Sequence, residues 1–103
     1  MVTVVFVNPP ITLKERYGSF SSAGNTLPSY GLCLLAAVVR EKGYRTAIVE
    51  AASQGLSYRQ TVSGILKQQP QYVGITATTV SIFPAAKLAK MLKKRNKNLT
   101  III

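Results

Sequence analysis

The sequence predicts a three-layer α/β domain built on a parallel, doubly wound sheet. Three observations lead to this prediction. Strand-like and helix-like segments alternate along the chain, the first strand is nearly apolar throughout, and 103 residues suffice for one small domain. Strands that are covered on both faces lose the polar alternation of half-exposed strands. We therefore expect each helix to cross over between two parallel strands in the right-handed sense.

The first third of the chain predicts a strand, a long loop and a helix. A β-branched run over residues 2–7 predicts the strand, and Asn8-Pro9-Pro10 stops it because proline supplies no ladder donor. Residues 11–26 show no periodicity and are interpreted as a loop. A helix opens at Leu27-Pro28-Ser29 and continues to residue 42, and its nearly apolar middle predicts heavy burial.

The rest of the chain continues the alternation. Ser57 and Gln60 form a capping-box pattern at the start of a second helix, which Pro70 ends. A third helix is expected over residues 82–95, with small and aliphatic side chains inward and lysines outward. The remaining strands are predicted over residues 45–49, 72–76 and 99–103.

Composition excludes several kinds of catalytic site. The 103 residues contain no histidine, no aspartate, three glutamates and the single cysteine Cys33. They cannot supply a Ser-His-Asp triad, a zinc site of Cys and His ligands, or the thiolates of an iron–sulfur cluster. No catalytic or metal-ligating residue is assigned, and binding is expected rather than catalysis. A lone cysteine and the lack of a long apolar run predict a cytoplasmic protein that does not span a membrane.

Ligands of open parallel sheets bind at the carboxyl ends of the strands. The predicted ends here are Asn8-Pro9-Pro10, Glu50-Ala51-Ala52 and Thr76-Ala77-Thr78-Thr79. The threonines offer hydroxyls and free backbone donors before a helix, which suits a phosphate or an amide-rich ligand; alternatively, they only cap that helix. Glu50 is interpreted as a loop acid or as the partner of a nearby base. Glycine-rich nucleotide motifs are missing.

Positive charge is concentrated in the second half of the chain. Residues 51–103 carry eight basic and no acidic side chains, and six of the eight lie between Lys87 and Lys97. Such a helix face could bind nucleic acid or an acidic partner. It could equally be a solvated face, and specific nucleic-acid binding is not expected. A non-catalytic interaction or nucleic-acid-binding domain is therefore the alternative function.

Several short motifs, in this order and spacing, resemble the amino-terminal domain of cobalamin-binding radical S-adenosylmethionine enzymes. These motifs are Asn8-Pro9-Pro10, residues 14–18, Gly24-Asn25, Pro28, Gly31-Leu32, residues 35–37 and residues 73–79. The resemblance covers essentially the whole chain. It implies a Rossmann-like or flavodoxin-like domain that holds cobalamin through Asn8, Pro9, Pro10, Thr76, Ala77, Thr78 and Thr79.

The same resemblance implies what lies outside this chain. Residues 1–103 would be one partial cobalamin-binding domain, truncated after its fourth strand. A downstream barrel would carry S-adenosylmethionine and a [4Fe-4S] cluster, in a methyltransferase or an oxidative cyclase-type oxidoreductase. In the cobalamin domains of mutases and methionine synthase a cobalt-ligating histidine follows the first strand, where this chain has Asn8-Pro9-Pro10. Many members of the radical family lack that histidine. The last strand is expected at a sheet edge, through which chains could self-associate.

Overall fold

The computed structural model describes residues 2–10, 30–79 and 81–103, and within them four strands form one parallel sheet. In chain order they are β1 (Val4–Asn8), β2 (Thr46–Glu50), β3 (Tyr72–Ile75) and β4 (Thr100–Ile102). Their spatial order is β2-β1-β3-β4, and all three pairings are parallel. The direction of winding reverses between β1 and β3, as in flavodoxin-like sheets. The predicted fold class is therefore confirmed.

Four helices connect these strands in the described part of the chain. They are α1 (Tyr30–Glu41), α2 (Ala51–Gln54), α3 (Tyr58–Lys67) and α4 (Ile82–Arg95). No helix was predicted between the second strand and Ser57, so the short helix α2 was missed. Gly55 ends it in the left-handed conformation at a φ of 65°, and this glycine is the signal that could have revealed it. The predicted loop over residues 11–26 and the opening of the first helix lie outside the described residues.

The main core lies on the sheet face covered by α3 and α4. Val5 and Val73 on the strands pack against Ile65 of α3 and Leu88 of α4, and all four are fully buried. The predicted capping box of α3 is confirmed: the Gln60 backbone N–H donates to Ser57 Oγ at 3.1 Å, and the Ser57 N–H donates to Gln60 Oε1 at 2.9 Å. Regular amphipathic spacing thus predicted this layer correctly.

The opposite face of the sheet is covered by α1, which is far less buried than predicted. Leu32 and Ala36 pack on Phe6, but Leu34, Leu35 and Val38 are each more than half exposed. A helix that lies on a sheet buries one stripe of side chains at i, i+4 spacing and leaves its flanks open. An apolar composition on all sides therefore did not imply burial on all sides.

Strand boundaries differ from the prediction by one or two residues. Asn8, expected to stop the first strand, is its last paired residue and lies opposite Glu50 of β2. β4 is an edge strand as predicted, and Ile102 and Ile103 are 59% and 57% exposed. Self-association through this edge stays a prediction. Among the described helices, none has the length and apolar character needed to cross a bilayer.

Candidate functional site

The carboxyl ends of β1 and β2 bring two polar side chains together. Asn8 and Glu50 form the last in-register pair of the two strands, and Asn8 Nδ2 donates a hydrogen bond to Glu50 Oε2 at 3.0 Å. Both residues are buried. Glu50 is the last residue of β2 rather than a loop residue, and its carboxylate accepts a hydrogen bond from the Asn8 amide. Its pairing with a nearby base stays a prediction. Two residues 42 positions apart give no local signal of this contact.

Pro9 and Pro10 follow Asn8 directly and are both buried. Neither has a backbone N–H, so they can leave the sheet without burying an unpaired donor. The structure thus places the first predicted cluster, Asn8-Pro9-Pro10, at the carboxyl edge beside the switch in strand order.

The end of β3 lies against the end of β1. The Thr76 backbone N–H donates to the Val7 carbonyl at 2.9 Å, which places Thr76 next to Asn8 across the switch. Its N–H is therefore used within the sheet, and the predicted free backbone donor at this position is wrong. Ala77 is half-buried and packs against the main core. The hydroxyl-bearing segment does reach the same edge as Asn8-Pro9-Pro10, as predicted.

Thr78 belongs to a turn that leads into α4. Its N–H donates to Ser81 Oγ at 2.9 Å, the Ser81 N–H donates to the Thr78 carbonyl at 3.1 Å, and the two hydroxyl oxygens lie 3.3 Å apart. The backbone donor of Thr78 is thus not free either. Ser81 is the N-cap of α4 and makes no side-chain capping hydrogen bond, so the helix-capping alternative is wrong for Thr78. Thr79 is exposed. Sequence reasoning missed Ser81, although its spacing of three from Thr78 is typical of such turns.

An apolar groove of 780 Å³ runs along the sheet on the α1 side. Phe6 and Gly74 form its floor, Leu32 and Leu35 form the α1 wall, and Thr76 stands at its carboxyl end. Gly74 adds no side chain to the floor of the groove. A Cβ at this position would lie only 3.3 Å from Phe6 Cδ1. Sequence reasoning missed this groove, since α1 was expected to be fully packed.

The basic side chains form a separate surface. In parallel α/β folds the crossover helix runs antiparallel to the strands, so the carboxyl end of α4 points away from the edge that holds Asn8 and Thr76. Lys90, Lys93 and Lys94 are exposed, and Lys87 Nζ lies 4.4 Å from the centre of the Tyr58 ring. No group of three or more metal-ligating side chains occurs within the described ranges.

The parallel sheet belongs to the doubly wound class, in which ligands bind at the switch point, and here that point has an apolar groove and polar side chains. The chain belongs to the B12-binding domain family, whose model matches residues 19–103. It is 35% identical over 80 residues to an uncharacterized methyltransferase of Pyrococcus horikoshii. That match covers 78% of this chain and 17% of the relative, so the chain spans about a sixth of the relative's length. No solved structure matches the chain.

Proposed function

We propose that this chain is the cobalamin-binding module of a radical S-adenosylmethionine enzyme, and that it holds cobalamin beside a downstream iron–sulfur barrel of the same protein. Membership of the B12-binding family supports the cofactor. The relative's name supports methyl transfer as the reaction, and its much greater length leaves room for a barrel. S-adenosylmethionine and the [4Fe-4S] cluster would belong to that barrel, because these 103 residues contain one cysteine. We expect the protein to act in the cytoplasm.

The groove at the switch point carries this proposal. Cobalamin combines a corrin ring that bears amides with a nucleotide tail that ends in a flat aromatic base. The tail fits an apolar groove floored by Phe6 and Gly74, and the corrin would lie over the polar carboxyl edge. There Asn8, Pro9 and Pro10 would face one side of the ring. Thr76, Ala77 and Thr78, with Thr79 next to them, would line the nucleotide tail at the end of the groove. Bound cobalamin would supply a cobalt centre able to carry a methyl group.

The cobalt would have no imidazole ligand from these residues, since the 103 residues contain no histidine. With its tail held in the groove, cobalamin would also have its own base away from cobalt. The domain would then bind the cofactor through contacts with the corrin edge and the tail rather than through the metal.

We expect the longer parent protein proposed to contain this module, called the full chain below, to bind cob(II)alamin and to give a paramagnetic resonance spectrum without nitrogen coupling to cobalt. Coupling between cobalt and a nitrogen of the cofactor's own base would show that the nucleotide tail still ligates cobalt. A coupling pattern that changes when the protein is labelled with ¹⁵N would mean that a protein nitrogen ligates cobalt, which would contradict the proposal. Failure to bind cobalamin would overturn the proposed function itself. Cobinamide, which lacks the nucleotide tail, serves as the matched probe for corrin contacts.

The alternative function would use the basic side chains of α4 and its carboxyl end. We expect the variant K90Q/K93Q/K94Q to retain cobalamin binding and to lose only weak, salt-dependent adhesion to nucleic acid, because these lysines are solvated and distant from the groove. Fluorescence anisotropy with several RNA and DNA sequences at physiological salt measures this. Sub-micromolar affinity for one sequence, lost in the variant, would favour the alternative instead.

A further inference from the structure

The hydrogen bond between Asn8 and Glu50 is held by rigid surroundings. Asn8 is 5% exposed and Glu50 8% exposed, and both are the last residues of paired strands. Helix α2 begins directly after Glu50, and its Ser53 hydroxyl donates to the Glu50 carbonyl at 3.4 Å. The backbone on both sides of the contact is therefore held in place, and the direction in which the Asn8 amide is turned decides which of its atoms faces Glu50.

The carboxylate decides which way that amide is turned. A carboxylate accepts hydrogen bonds and donates none, so the nitrogen of the Asn8 amide must face Glu50. In the described part of the chain Asn8 Oδ1 makes no hydrogen bond, and no fully buried side-chain nitrogen or oxygen there lacks a partner. Asn8 Oδ1 is therefore not fully buried, and among the described residues no donor occupies it.

We propose that Glu50 is a positioning residue that turns the Asn8 amide so that Oδ1 accepts a hydrogen bond from a primary amide of the corrin ring. This role rests on the proposed function and adds the chemical group that Asn8 recognises, a primary amide of the corrin. β1 lies between β2 and β3, so an amide whose nitrogen faces β2 offers its oxygen on the side of the switch. The corrin edge carries primary amides, whose N–H groups are the donors such an acceptor needs.

Two double variants separate this role from a purely structural one. N8D/E50Q reverses the direction of the hydrogen bond, because the introduced glutamine can donate to the introduced aspartate. The second oxygen of that aspartate stays available as an acceptor toward the ligand. N8L/E50L replaces the pair by apolar side chains of similar size and removes the acceptor. Both variants lose the native pair, but only the first of them keeps an acceptor at the same place.

The full chain and its variants are titrated with cobinamide, which has the corrin amides without the tail. N8L/E50L is expected to bind about tenfold more weakly than the unchanged protein, and N8D/E50Q within about twofold of it. E50Q alone should weaken binding by about threefold, since glutamine both donates and accepts and no longer fixes the amide. Urea unfolding of each variant checks that the differences in cobinamide affinity do not result from differences in the free energy of unfolding.

Nuclear magnetic resonance gives a readout that does not require the cofactor. The side-chain amide protons of Asn8 should exchange more slowly with water in the unchanged protein than in E50Q. Three results would each overturn the positioning role while cobalamin binding stands. The first is equal exchange of the Asn8 amide protons in the unchanged protein and in E50Q. The second is a cobinamide affinity of N8L/E50L equal to that of the unchanged protein, and the third is an affinity of N8D/E50Q as low as that of N8L/E50L. A protein that takes up neither cobalamin nor cobinamide would overturn both proposals.

Discussion

Replacing Gly74 with valine is expected to lower the affinity of the full chain for cobalamin by about tenfold or more, and to leave cobinamide binding within about twofold. A Cβ at Gly74 would already lie 3.3 Å from Phe6 Cδ1, so the methyl groups of valine must project into the groove. The nucleotide tail would then lose its space, whereas the corrin edge above it would not. Calorimetric titration with both cofactor forms measures the difference.

Gly64→Ala is the matched control for this substitution. A Cβ at Gly64 meets no atom within 4 Å, and its helix α3 packs on the sheet face opposite to the groove. The control should bind both cofactor forms unchanged and gain about 0.5–1 kcal/mol in the free energy of unfolding, because alanine favours a helix interior over glycine. If folded Gly74→Val protein binds cobalamin as well as the control does, the tail does not occupy this groove.

Replacing Leu88 with alanine is expected to lower the free energy of unfolding by about 2–5 kcal/mol. Leu88 lies in α4 and is fully buried against the sheet. Removing its side chain loses the free energy of transferring the buried methyl groups out of water. It also leaves a cavity that the rigid sheet cannot fill, and this cavity adds to the destabilisation. Urea unfolding, followed by far-ultraviolet circular dichroism, measures the change.

Leu35→Ala makes the same chemical change in α1 and serves as its control. Leu35 is 54% exposed, and a substitution at such a position is expected to change stability by about 1 kcal/mol or less. Both leucines lie in helices, so the effect of helix propensity is the same and the difference reports burial. An equal loss in the two variants would mean that Leu35 is covered in solution, contrary to the half-exposed α1 described above.

The sequence by itself determined the elements whose signals are local. The capping box of Ser57 and Gln60 and the inward spacing of Leu88 and Leu92 each lie within one or two helical turns, and the structure contains both features as predicted. The alternation of strands and helices was enough to predict a parallel sheet, because short connections and right-handed crossovers leave few other arrangements. The motif resemblance added the cobalamin-binding family, which the family match confirms.

Only the tertiary structure decided how these elements meet. The pairing of Asn8 with Glu50 depends on the register of two strands whose paired residues lie 42 positions apart, and no pattern within either strand specifies that register. The groove exists because α1 buries one stripe while Gly74 keeps the sheet surface low beside Phe6. The apolar composition of α1 could not distinguish a buried helix from one that leaves a flank open, since burial is a property of the neighbours and not of the segment.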